Sequence, residues 1–305
     1  MLLFVYICKD KLNTINTMKS LLYKFTLILP LIALTACSSD DHEPAPEPTL
    51  AEHIYTPNIP TASRVASIEY AGVFGRTFNW TFSYDSKSLT KATRTEKNGN
   101  ATQSIGASVD YTLTYTPQNV IVKSSDKAVT LEVKKIGLLE SMTCGDETCT
   151  YIYSDNRLIR WESKFVLDGR TDDEERYSYG DIVWENGNIQ TIKFVPFTEA
   201  DHKFYTYELT YDESLSNDNG ILPELISEAM GIEGVEFLYY SGMLGKATTN
   251  LVKNVKITHS TDETQNESYN FTYRHANNNV VYGNYTSTTE TNNVPNKNVV
   301  VTYGY

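Results

Sequence analysis

Cys144 and Cys149 flank Gly145-Asp146-Glu147-Thr148, a spacing that suits a hairpin tip. In an oxidising compartment a disulfide across that tip is expected, its loop closure contributing roughly 2 kcal/mol. Two thiols are the other reading, while zinc would need a His or a second Cys pair nearby. Four carboxylates run together as Asp172-Asp173-Glu174-Glu175, between Arg170 and Arg176. A glycosidase needs two carboxylates facing one cleft, and a calcium loop needs oxygen ligands at set intervals. Four in a row beside two arginines read instead as a solvated loop. The five histidines, His42, His53, His202, His259 and His275, include no i, i+4 pair. Gly-x-Ser-x-Gly and Gly-rich phosphate loops do not occur. No catalytic residue, metal ligand or cofactor site is therefore assigned. Trp161 and Trp184 fall near turns. They are kept as candidates for stacking on a ligand such as a sugar ring, against ordinary packing within a sheet.

Cys37 invites a different chemistry. It follows Leu34-Thr35-Ala36, which closes an apolar run from Phe25 to Leu34 behind the basic stretch Met18 to Lys24. A run of ten residues, broken only by Thr26 and Pro30, is too short to span a bilayer, which takes about 20 apolar residues. Small residues then a cysteine resemble the signal of a bacterial lipoprotein. That resemblance implies cleavage before Cys37 and diacylglycerol and palmitate-type chains on it; the plainer reading is a secretory signal with a chance cysteine. At about 0.8 kcal/mol per buried CH₂, two or three chains anchor essentially permanently. Met18 is read as the start, residues 1–17 as an upstream artefact and 18–36 as the signal peptide. Residues 37–60 form a lipidated, Pro-rich tether. It holds five of the ten prolines and would reach about 70 Å at roughly 3.1 Å per residue. Ser38-Ser39-Asp40-Asp41-His42-Glu43 resembles the surface-export signal of Bacteroidetes lipoproteins, which implies the outer face of the outer membrane.

Residues 1–36 hold four Lys and one Asp, so 22 basic and 37 acidic residues remain after them, a net charge of −15. That argues against binding bare nucleic acid, because neutralising phosphates takes a basic face. Residues 61–305 are long enough for one large β domain.

What must position any site is a set of strands. Phe78, Trp80, Phe82 and Tyr84 alternate with Thr77, Asn79, Thr81 and Ser83. The same two-residue period runs through Tyr111-Leu113-Tyr115, Tyr205-Tyr207-Leu209-Tyr211 and Tyr269-Phe271-Tyr273, marking half-buried strands. Asn98-Gly99-Asn100, Asp155-Asn156, Asp168-Gly169 and Asn186-Gly187-Asn188 tolerate positive φ and suit tight turns. An all-β antiparallel hairpin meander follows, forming a barrel-like or strongly curved open sheet. Leu222, Leu225, Ile226 and Met230 break the pattern with helical spacing between Pro223 and Gly231, which predicts one short helix over 222–230 packed on the sheet or in a barrel mouth.

Two stretches, Tyr179-Gly180-Asp181-Ile182-Val183-Trp184-Glu185-Asn186-Gly187-Asn188-Ile189 and Gly242-Met243-Leu244-Gly245-Lys246-Ala247-Thr248-Thr249-Asn250-Leu251, together with the lipobox and hairpins, resemble a family of Bacteroidetes lipoproteins of unknown function. The resemblance covers about residues 65–305 and implies a porin-like fold with no catalytic role. Three functions stay open: a surface lipoprotein whose β domain binds or scaffolds a glycan or protein, a barrel inserted in the outer membrane, and a carbohydrate-active enzyme. Val299, Val301, Tyr303 and Tyr305 alternate up to an aromatic C-terminus, which resembles the insertion signal of outer-membrane barrels. Against that, several strand-like runs are shorter than the 9 to 11 residues a spanning strand takes.

Overall fold

The computed structural model describes residues 64–73, 76–86, 88–98, 108–125, 128–133, 137–144, 147–165, 176–196, 203–263, 266–287 and 298–305. The lipobox, the tether, the run 172–175 and His42, His53 and His202 lie outside these residues. Sixteen strands follow one another in a meander. The first eight are β1 (Ser67–Val73), β2 (Arg76–Asp85), β3 (Ser88–Asn98), β4 (Val109–Tyr115), β5 (Val120–Ser124), β6 (Val129–Val133), β7 (Leu139–Cys144) and β8 (Glu147–Ser154). Then come β9 (Arg157–Phe165), β10 (Arg176–Glu185), β11 (Asn188–Val195), β12 (Tyr205–Ser216), β13 (Asn250–His259), β14 (Glu267–Ala276), β15 (Asn279–Ser287) and β16 (Asn298–Gly304).

Successive strands pair antiparallel, and β1 pairs with β16 through Ile68–Tyr303 and Tyr70–Val301. Between β5 and β6 the ladder thins to the single bridge Lys123–Ala128. The sheet thus turns fully round into a nearly closed barrel, with its weakest seam there. Four hairpins close at one end with residues held at positive φ: Ser86, Asp155-Asn156, Asn186-Gly187 and Asn277-Asn278. Paired positive φ values match the right-handed twist of the strands they join. The turns expected at Asp155-Asn156 and Asn186-Gly187 are among them, whereas those at Gly99 and Asp168-Gly169 fall outside the described residues. At the opposite end β3–β4, β9–β10 and β15–β16 are each joined by ten residues.

The two-residue period sorts side chains as the sequence reading anticipates. Trp80, Phe82, Tyr111, Leu113, Tyr207, Leu209 and Tyr269 point inward and are buried, while Thr81, Ser83, Thr112 and Thr114 face out. Only Ile121, Ile152, Tyr177, Val183 and Tyr305 are large apolar residues exposed among those described. Sixteen strands enclose a lumen too wide for wall side chains to fill, as the water-filled channels of large porins illustrate. Here residues 217–249, between β12 and β13, enter it. Ile221, Leu222, Ile226, Ala229, Met230, Ile232, Phe237, Leu238, Met243 and Leu244 are all buried. They form a plug.

The short helix expected over 222–230 is reduced to a 3₁₀ turn and is not a continuous α-helix. A 3₁₀ turn occupies Glu224–Ile226, and turns follow up to α1, a single turn of α-helix at Phe237–Tyr240. Helical spacing signals one apolar face against one polar face. This segment is ringed by barrel wall and buries residues in every direction, so no single face decides its path. Asn217 sets the entry instead. Its Oδ1 accepts from the Ile221 amide at 2.7 Å and its Nδ2 donates to the Ile221 carbonyl at 3.0 Å.

Candidate functional site

The plugged lumen is the best-defined feature that could carry function. Inward aromatics grip the plug from several sides. Trp161 on β9 donates its indole N–H to the Ala229 carbonyl at 2.8 Å. Tyr151 on β8 donates to the Gly231 carbonyl at 3.2 Å, and Tyr153 to that of Met243 at 3.3 Å. Phe237 packs against Tyr111 at 4.6 Å and Trp80 at 6.4 Å between ring centroids, and Tyr240 against Phe82 at 4.9 Å. These bonds satisfy plug carbonyls that would otherwise be buried without a partner. Gly180 on β10 stands opposite Trp161, and any Cβ there would collide with the indole and the Ala229 carbonyl.

Where the plug enters, Arg64, Tyr84, Asn219, Gly220, Tyr240, and Gly242 line a cleft of about 450 Å³, open solvent included. The Arg64 guanidinium lies 5.4 Å over the Tyr84 ring. A second, smaller pocket of about 250 Å³, open solvent included, is lined by Tyr70, Glu224, Tyr273, Tyr285 and Tyr303. Tyr285 donates to Glu224 Oε2 at 2.9 Å.

Four glutamates of the plug, Glu224, Glu228, Glu233 and Glu236, sit inside the barrel, and burial pushes the carboxyl of each upward. Glu224 rises to about 7, its loss of solvent outweighing the Tyr285 hydrogen bond. Glu233 rises to about 8, from burial and then the neighbouring Glu228, Glu236 and Glu224. Glu228 and Glu236 are raised as well, again first by burial. Arg94, on β3, favours ionisation of Glu224, Glu233 and Glu236 but does not offset the burial. No group of three or more His, Cys, Asp or Glu side chains among the described residues has the geometry of a metal site.

The residues singled out in the sequence fall elsewhere. Cys144 and Cys149 are thiols and the expected disulfide is not formed. The register sets Cys144 opposite Glu147 and Cys149 opposite Met142. The two are therefore diagonal neighbours, about 7 to 8 Å apart at Cα for such pairs, where a disulfide wants about 5.5 Å. Burial, then Glu147 nearby, pushes the Cys149 thiol up to about 12. Trp161 is wholly buried, which removes it from any outer sugar platform. Trp184 is half-buried and donates to the Leu158 carbonyl at 2.8 Å, with Arg157 5.6 Å over its ring. His259 packs edge-on against Tyr205 at 4.4 Å, and burial lowers its pKa despite Glu267 and Asp262. The plug glutamates escaped sequence reading because nothing in their spacing announces enclosure. The available signal was an apolar segment carrying four acids without a polar face.

The two stretches that carry the family resemblance meet in space. Thr249 donates from its amide to the Gly187 carbonyl at 3.0 Å, and the Asn188 and Asn250 side chains join at 3.0 Å. Asn188 Oδ1 also accepts from the Asn250 amide at 3.0 Å. Gly245, at φ +84°, lets the plug exit run against the β8–β9 turn, where the Lys246 amide donates to the Asn156 carbonyl at 2.8 Å. One stretch is thus a wall hairpin and the other the plug's way out, locked together. No helix among the described residues is long and apolar enough to cross a membrane, which says nothing of a β-barrel.

Comparisons with known proteins agree with this architecture. No curated protein matches the chain. A crystal structure of a porin-like protein from Bacteroides uniformis ATCC 8492 superposes with a TM-score of 0.62 at 17% identity, over 79% of this chain and 97% of that one. One from Bacteroides vulgatus ATCC 8482 gives 0.55 at 15%, over 79% and 98%. At such identities the likeness is one of fold. The family model described as "Domain of unknown function (DUF4595) with porin-like fold" matches residues 77–282. Covering more than half of the sequence, the match shows that the chain belongs to that family.

Proposed function

We propose that the chain is a lipid-anchored protein of the outer membrane, held at the cell surface through Cys37. In this reading its barrel stands in water and binds or scaffolds a glycan or a protein. The observation that carries this is the direction of the side chains. A barrel in lipid presents an apolar band about 25 Å tall outward and a polar lumen. Here the assignment is inverted. Val299, Val301 and Tyr303, whose alternation resembles an insertion signal, are buried inward at 2%, 4% and 6% exposure. The outer faces of β3, β4 and β13 carry Lys91, Thr112, Thr114 and Lys256. The plug that occupies the lumen among the described residues gives no support to conduction, which is not part of the proposal. The enzymatic reading has less support: a glycosidase holds two carboxyls across a cleft that admits a sugar, whereas these four sit on the plug, Glu236 buried and Glu224, Glu228 and Glu233 half-buried.

The test is the behaviour of Ser38–Tyr305 in detergent-free buffer. A monodisperse, β-rich species by light scattering and circular dichroism supports the aqueous barrel. Aggregation relieved only by detergent would overturn it. Anchoring is read separately. Labelled palmitate should enter the protein in cells and be lost in Cys37→Ala, and protease added to intact cells should reach the barrel.

A further inference from the structure

The plug carries more buried acid than its packing uses. Glu236 is 6% exposed; Ser227 and the backbone at Gly234 and Glu236 hydrogen-bond its carboxyl, yet its Oε2 has no partner. A buried carboxylate oxygen without a partner is costly; a neutral carboxyl carries much less of that cost. Glu224 has the Tyr285 hydroxyl and no more than a share of Arg94. Glu228 and Glu233 face Tyr207 on β12, with Tyr205 and Glu267 beyond it. Glu224 and Glu236 face Tyr70 on β1, flanked by Tyr240 and Tyr303. Those tyrosines are themselves raised by burial, so they stay neutral and supply no countercharge. Among the described residues, Arg94 on β3 is the cation that faces Glu224, Glu233 and Glu236.

We propose that the plug is a proton-sensitive element: Glu224, Glu228, Glu233 and Glu236 pack against the tyrosine-lined wall, and their ionisation loosens the plug within the barrel. This goes beyond the anchoring and binding proposed above and depends on neither. The direction follows from linkage. A carboxyl raised in the folded protein binds its proton more tightly there than in the unfolded chain. Its stabilising contribution is complete below the ordinary carboxylate pKa of 4.5 and is lost as pH climbs through about 7 for Glu224 and about 8 for Glu233. The strain falls on the plug because all four charges ride on it, while the strands are held by their own ladders.

Hydrogen exchange of the full chain at about pH 6 and about pH 9, corrected for intrinsic rates, tests this. The Met230, Gly231, Ile232 and Val235 amides are bonded only within the plug. Their protection should fall by roughly tenfold or more, against less than threefold for β2 and β3. In Glu224→Gln/Glu233→Gln the plug's pH response should flatten. Equal loss in plug and strands, no loss, or a response that survives the double substitution would overturn the proposal. Should that variant fail to fold, the carboxyl carbons of the unsubstituted protein decide. Glutamate signals titrating between about pH 6 and 9 support the proposal, and all glutamates titrating near the ordinary carboxylate pKa overturn it.

Discussion

Trp161 shows how much one side chain can hold. Its indole edge lies against Gly180 and its six-membered ring against Gly231; it is wholly buried and satisfies the Ala229 carbonyl in the plug. Trp161→Phe keeps most of the volume but orphans that carbonyl, and should cost about 1 to 3 kcal/mol in urea unfolding. Trp161→Ala should cost about 3 to 5 kcal/mol. Gly180→Val should do comparable damage by driving the indole off the plug, although valine suits a strand. The same residue marks a boundary of sequence reading. Burial of Trp80 follows from its alternation with threonines and asparagine. That Trp161 would meet a plug and not a sugar could not be read, because its partner Ala229 is 68 residues away and carries no side-chain signal.

Among the elements, hairpins were legible and the plug was not. Alternation and Asn/Asp/Gly turns are local physics, so β2, β4, β12 and β14 fall where Phe78–Tyr84, Tyr111–Tyr115, Tyr205–Tyr211 and Tyr269–Tyr273 place them. Asn277-Asn278 makes the same turn without the glycine that would have advertised it. The plug has no local signature, since Leu222, Ile226 and Met230 obey a helical period that the enclosing wall makes irrelevant. The hairpin β7–β8 offers a test of register. With its cysteines diagonal, both should carry alkylating label after denaturation without reductant, as peptide mapping would show. Before denaturation Cys149 should react far more slowly than a peptide thiol, because burial holds its pKa near 12 and leaves little thiolate at pH 7. Recovery of a Cys144–Cys149 crosslinked peptide would refute the register.

At the scale of the whole molecule, the wall and its filling depend on one another. Replacing residues 219–248 by a two-residue turn should leave the inward faces of β2, β4, β9 and β16 without apolar partners. The expected product binds hydrophobic dye and melts without a sharp transition. A cooperative melt of the shortened chain would mean that the wall collapses onto itself. The β1–β16 junction adds a constraint on time. Ile68 pairs with Tyr303, and the Ala66 amide with the Gly304 carbonyl. Each consecutive hairpin can form from neighbouring strands alone, but this junction must wait until the first strand meets the last. Until then β1 offers a bare edge to any passing strand, a known route to misassembly. The rate-limiting event in reaching the native state should therefore be ring closure, slowed by the long sequence separation it spans. Loss of only the last few residues should then harm assembly out of proportion to the surface they bury.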